Sequence, residues 1–320
     1  VLGADAFVYE LNTALFSDYA LKLRTVHLPA GAKARYQADE VFEFPVGTII
    51  TKTFFYPKEA SVAGARPVSL TSSWNGNPES IDLDHYDLIE TRILIRQSEG
   101  WDALPYIWNG DDAHLKITGD LFTLETVGEP LNYLVPSRNQ CSSCHATNHT
   151  SGDILPIGPK ARHLNRPTQA FREQTGDNQL QFMADAGLLT GLPRSDVPKN
   201  ASLDSTTSSV EERARAYLDI NCAHCHNPEG AADTSGLLLN IDNQKLAALG
   251  LCKPPIAAGR GSGGHLYSIV PGEPDTSIMT FRMASTNPAS MMPELGRSLA
   301  HTEGIEVVRE WISGMQGECR

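Results

Sequence analysis

Two copies of Cys-x-x-Cys-His, Cys141-Ser-Ser-Cys144-His145 and Cys222-Ala-His-Cys225-His226, constrain this chain more than any other feature, because whatever fold it adopts has to present both. Two thiols three positions apart can add to the two vinyl groups of one porphyrin while the adjoining histidine ligates the iron, which is the pattern of c-type haem attachment. The expectation is two covalent haem c groups, held through Cys141, Cys144, Cys222 and Cys225 with His145 and His226 as iron ligands. Cys-x-x-Cys pairs also build zinc sites and redox dithiols. One tetrahedral site made from these cysteines and histidines would leave the repeated terminal histidine unexplained.

The chain has 320 residues, 41% of them hydrophobic and 20% charged, enough to bury a substantial core in two or three compact units. No run of about 18 apolar residues occurs, so no transmembrane segment is expected. Val1-Leu-Gly-Ala-Asp5 has neither a basic segment nor an apolar stretch, and haem attachment of this type belongs to oxidising compartments. The expected location is therefore the bacterial periplasm or the cell surface, with an export signal already removed. In such a compartment the two cysteines outside the motifs, Cys252 and Cys319, are expected to pair as a disulfide. The alternative is two unrelated buried thiols. A formal charge of -12 disfavours nucleic acid and anionic membranes, and points to redox partners with a basic docking patch.

Residues 1 to about 135 contain no cysteine and read mainly as strands. Val41 to Tyr56 is rich in β-branched and aromatic residues, and Leu88 to Arg96 alternates with period two. Pro57 to Pro78 reads as a long loop, and Trp101, Tyr106 and Trp108 as a core aromatic cluster. A short helix is predicted near Asn178 to Leu188. Ser208-x-x-Glu211 is a capping-box signature opening a helix over Val210 to Ile220 that leads into Cys222, and Thr302 can cap a last helix with Ile305, Val308, Ile312 and Met315 on one face. Tyr217 and Trp311 are the aromatics expected where those helices cross. Gly259 to Gly264 is Gly-rich but lacks the lysine and helix of a phosphate loop, so it reads as a turn. The fold class is thus α+β, an N-terminal antiparallel β-rich domain followed by α-helical cytochrome c-type haem domains. Its expected divisions are 1–135 without haem, 136–204 for the first haem segment and 205–320 for the second haem domain.

The sixth iron ligand separates a carrier from a catalyst. For the second haem it is expected to be Met292, in Met291-Met-Pro-Glu-Leu-Gly296, with Met291 as the fallback and a pair of core methionines as the alternative. For the first haem His149, His163, Met183, His85 and Lys52 are open, and the reading leans to Met183 or His163.

Taken together, Leu11-Asn-Thr-Ala-Leu-Phe-Ser-Asp-Tyr19, Phe44-Pro-Val-Gly-Thr48, Thr91-Arg92, Tyr106-Ile-Trp-Asn109, Gln140-Cys-Ser-Ser-Cys-His145 and Pro271-Gly-Glu-Pro274 resemble an uncharacterised family of exported bacterial di-haem c-type cytochromes. The C-terminal part, with its Met-Pro loop ahead of a final helix, is similar to class I cytochrome c. Phe44-Pro-x-Gly-Thr48 followed by Lys52 also looks like the β-fold of the small hydroxylamine-oxidising cytochromes whose haem is crosslinked to lysine. Those proteins carry an attachment motif inside the β-domain, and residues 1–135 here do not.

The expected function is a di-haem c-type cytochrome transferring electrons between redox partners. The alternative is a di-haem oxidoreductase, peroxidase-like or oxidising a small nitrogen or sulfur compound, with catalysis at the first haem.

Overall fold

The structure is a computed structural model that describes residues 6–59, 68–71, 74, 81–126, 128–168, 178–256 and 259–320. The chain forms two compact units whose segments interleave. The first comprises Val1–Asn12, Tyr19–Ser142 and Asp153–Lys199, and the second Thr13–Asp18, Ser143–Gly152 and Asn200–Arg320.

The first unit is built on strands β1 (Ala6–Val8), β2 (Leu21–His27), β3 (Ala34–Arg35), β4 (Ile49–Pro57), β5 (Tyr86–Gln97), β6 (Gly100–Asn109), β7 (Asp112–Leu115), β8 (Asp120–Leu124), β9 (Leu131–Val135) and β10 (Leu189–Thr190). Six of them make one antiparallel sheet in the order β1-β2-β4-β5-β6-β7. β8 and β9 form a separate antiparallel pair, and β3 and β10 a short parallel one. The hairpin between β6 and β7 turns at Gly110-Asp111, where Gly110 has φ +64°, the left-handed backbone that the first position of such a two-residue turn favours. The pairing of β4 with β5 shifts between Phe54 and Phe55. That bulge breaks the in-out alternation, which is how Phe54, Phe55 and Tyr56 can all be 0% exposed in succession.

Helix α1 (Arg138–His145) follows β9, and α2 (Ala161–Leu164) and α3 (Gln179–Asp185) come before β10. Asn178 caps α3 by accepting from the amides of Leu180 and Gln181. The second unit contains α4 (Val210–Asn221), α5 (Leu246–Leu249), α6 (Ile278–Ala284) and α7 (Thr302–Ser313). A capping box opens α4, but between Ser209 and Glu212, one residue later than the sequence spacing suggests. His301, not Thr302, precedes α7, with no side-chain cap. α4 and α7 pack against each other through a core that includes Tyr217, Leu218, Ile305, Val308, Trp311 and Ile312. Gly304 makes this approach feasible, since a Cβ there would lie 2.3 Å from Cζ of Tyr217.

The expected fold class is corrected by these elements. The main regular structure is antiparallel β-sheet, and the part after it does not form α-helical cytochrome c-type haem domains. Between α4 and α7 the described residues hold only two α-helices, of four and seven residues. Gly230, Gly236, Gly250, Gly272 and Gly296, with Pro271, Pro274 and Pro293, interrupt the backbone too often for longer ones. The two amphipathic end helices suggested a helical domain that the stretch between them does not support.

Other readings shift in detail. The strand expected from Val41 begins only at Ile49, after isolated bridges at Val41 and Glu43. Most of the loop expected over Pro57 to Pro78 lies outside the described residues. Trp101, Tyr106 and Trp108 are strung along β6 rather than clustered: Trp101 meets Phe44 edge-on, and Trp108 donates from Nε1 to Thr91 Oγ1 at 2.9 Å. No helix among the described residues is long and apolar enough to cross a membrane.

Cys252 and Cys319 are joined by a disulfide that closes a sequence separation of 67. A loop of that size is expected to stabilise by about 4 kcal/mol through the unfolded chain. Cys319→Ser should therefore lower the second unit's stability by about that amount, measured by urea unfolding without reductant. A midpoint equal to wild type would show that the link does not restrict the unfolded state.

Candidate haem centres

The first motif lies on α1, which carries Cys141, Cys144 and His145 on its last two turns. Cys141 and Ser142 belong to the first unit, and Ser143 to His145 to the second. Within the first unit the Cys141 thiol contacts the Ser137 carbonyl at 3.5 Å and lies in the field of Arg92. Arg92 is itself stacked over the Phe54 ring at 4.4 Å, with Lys52 at 5.1 Å and Lys22 at 5.6 Å from the same ring centre. Three cations thus share one sheet face beside Cys141, on neighbouring strands β2, β4 and β5. His163 and Met183, each 2% exposed, are on α2 and α3 of the first unit.

The second motif begins where α4 ends, so the helix delivers Cys222 as its C-cap and the chain then turns through Cys225 and His226. The amides of Cys225 and His226 both return to the Cys222 carbonyl, at 3.1 and 2.9 Å. Gly230 completes the turn, since a Cβ there would stand 2.2 Å from the Cys225 carbonyl oxygen. His226 Nδ1 lies 3.3 Å from Ser235 Oγ, and the ring is hydrogen-bonded to the backbone of Leu237. Burial, aided by the nearby Arg282 cation, pushes the imidazole down to about 4, so it is neutral at physiological pH. A neutral ring oriented through its second nitrogen by outer partners is what a metal-ligating histidine needs.

Three charged side chains on either side of Met292 are within electrostatic reach of this motif. Arg282 acts on His226, Glu294 on Cys225 and Arg297 on Cys222. The amide of Met292 donates to the Arg282 carbonyl at 2.9 Å, and its carbonyl accepts from Arg297 at 2.7 Å. Met291 is 8% exposed and Met292 half-buried.

The Ser143–His145 part of the first motif adjoins the second motif within the second unit. The Cys225 thiol contacts the Ser143 carbonyl at 3.3 Å, and Cys144 is in electrostatic reach of Cys225. The stretches that follow them are bonded together: the His149 amide donates to the Glu229 carbonyl at 2.8 Å, Asn148 Nδ2 to Glu229 Oε2 at 2.9 Å and Asn227 Nδ2 to the Thr147 carbonyl at 3.3 Å. His149 Nδ1 also meets the Gly230 carbonyl at 2.9 Å. No sequence signal pairs these stretches. The polar residues just after each motif, Asn148 and His149 against Asn227 and Glu229, carry the contact.

These residues fit a covalently attached haem at the second motif. Its thiols, like those of the first, are not in disulfides, although Cys252 and Cys319 are. A redox dithiol needs a depressed thiol pKa, and here burial first, then Cys225 and Asp219, push the Cys222 thiol up to about 12. Cys225 is likewise raised to about 12 by burial, Cys144 and Glu294. For the tetrahedral alternative, the described residues contain no group of three His, Cys, Asp or Glu side chains placed to hold a metal ion.

No family model, curated protein sequence or solved structure matches the chain.

Proposed function

We propose that this chain is an exported di-haem c-type cytochrome of the periplasm or cell surface, passing single electrons between redox partners. The observation that carries the reading is the joining of its two Cys-x-x-Cys-His motifs, with Cys225 against the Ser143 carbonyl and the two following stretches hydrogen-bonded together. Cys141, Cys144 and His145 would hold one haem, and Cys222, Cys225, His226 and Met292 the other. When bound, each haem supplies a one-electron iron couple. The chain's part is to set its surroundings. Ser235 and Leu237 orient His226, and burial keeps that imidazole neutral. A histidine and methionine pair raises the potential relative to two histidines and leaves no open position for substrate. The net charge of -12 favours a partner that presents a basic patch.

A second reading places catalysis at the first haem, as in a peroxidase-like oxidoreductase or one oxidising a small nitrogen or sulfur compound. It is favoured by Lys22 and Lys52, which share the Phe54 sheet face with the Glu90-paired Arg92 that reaches Cys141.

The test is optical and electron paramagnetic resonance spectroscopy of protein exported from a haem-attaching host, with carbon monoxide added after reduction. The carrier reading expects two low-spin haems that do not bind carbon monoxide. One high-spin haem that binds it transfers the case to the oxidoreductase, and a chain without covalent haem ends both.

A further inference from the structure

Residues 278–299 of the second unit contain one side chain that ties them together. Arg297 is 5% exposed, and its guanidinium donates to four backbone carbonyls: Nη1 to Leu299 at 3.0 Å, and Nη2 to Met292 at 2.7 Å, Ser285 at 2.9 Å and Arg282 at 3.2 Å. The Met292 amide closes the same ring on the Arg282 carbonyl. On the opposite side the Asp18 carboxylate accepts from the amides of Ser298 and Leu299, each at 2.7 Å. The chain from Ser285 to Ala300 forms neither helix nor strand, so these carbonyls have no regular ladder to satisfy them. Burying a guanidinium is costly, and its buried Nε has no hydrogen-bond partner. A side chain held at that cost, bonded to both ends of a loop and to Met292 between them, fixes the loop's shape.

We infer that Arg297 is the positioning residue that presents Met292 to the iron of the second haem, an assignment that rests on the di-haem reading above. Arg297 acts through the Met292 backbone, and so sets how often the methionine sulfur gives way to a competing ligand.

The experiment uses the full-length, haem-loaded protein as wild type, Arg297→Gln, Arg297→Lys and Met292→Ala. Three quantities are read: the methionine-to-iron charge-transfer absorption of the oxidised form, the midpoint potential of the second haem, and the affinity for added imidazole. Arg297→Gln should weaken the absorption, lower the potential and tighten imidazole binding about tenfold or more, the worth of one charge-assisted hydrogen bond. Arg297→Lys, which keeps the charge but not the fork of donors, should fall between and serves if the Gln variant does not fold. Met292→Ala should abolish the absorption. Should it do so while both Arg297 variants match wild type in all three quantities, the positioning role is overturned and the ligand assignment stands. An absorption that survives Met292→Ala removes the ligand assignment itself.

Discussion

A Cys222→Ser, Cys225→Ser double variant should carry half the covalently bound haem of wild type, lacking the mass of one haem after denaturing extraction. With both thiols gone, His226 and Met292 offer only reversible ligation, which acid and organic solvent break. The single Cys222→Ser variant should retain that haem through one thioether, with a shifted reduced-form absorption. The effect should reach beyond the cofactor, because Cys222 is packed against the core that α4 and α7 share. Full haem mass in the double variant would mean that the second motif is not an attachment site. The zinc and dithiol alternatives would then return.

Replacing Glu90 by alanine should destabilise the first unit by about 3–5 kcal/mol, the cost of leaving a buried charge without its partner. Glu90 is 0% exposed and accepts from Arg92 at 2.8 and 2.5 Å and from the Tyr133 hydroxyl at 2.6 Å. Its loss strands two polar groups at once, and Arg92 would lose the anchor that holds it over Phe54. The fall in urea midpoint of the first unit measures this. A change below about 1 kcal/mol would show that water enters to replace the carboxylate. The same group gives the unit an alkaline limit. Burial, then the Glu90 charge, raises the Tyr133 phenol well above its ordinary value of 10.0. The native state therefore holds that proton more tightly than the unfolded chain. The stability this represents is complete below pH 10 and is lost as pH rises above it.

What was legible in the sequence was local. The strands around Phe54 and Ile93, the helix leading into Cys222 and the last helix all depend on spacing within a few residues and are present, although the first of these strands starts at Ile49 rather than Val41. The strand pattern could not show the bulge at Phe54, since a run of three aromatics fits a buried strand or a bulged one equally. The second half is not a helical domain, because its two amphipathic end helices are separated by a stretch dense in glycine and proline. Long-range pairings left no trace. Nothing in Asn148 and His149 announces Glu229 and Gly230, and nothing in Asp18 announces Ser298. Arg297 leaves no mark in the sequence, because one arginine in a polar stretch has no periodicity, and its importance lies wholly in the four carbonyls it gathers.

The pairing of Asp18 with Ser298 crosses 280 positions of sequence, and Phe16 stacks on His301 at 4.2 Å. A ribosome therefore releases one half of this clasp long before it makes the other. During that interval the opening residues of the second unit must wait while the whole β-sheet unit is synthesised. A fragment starting at residue 200 would lack the clasp altogether, so the second unit cannot be excised from the chain as a single continuous piece.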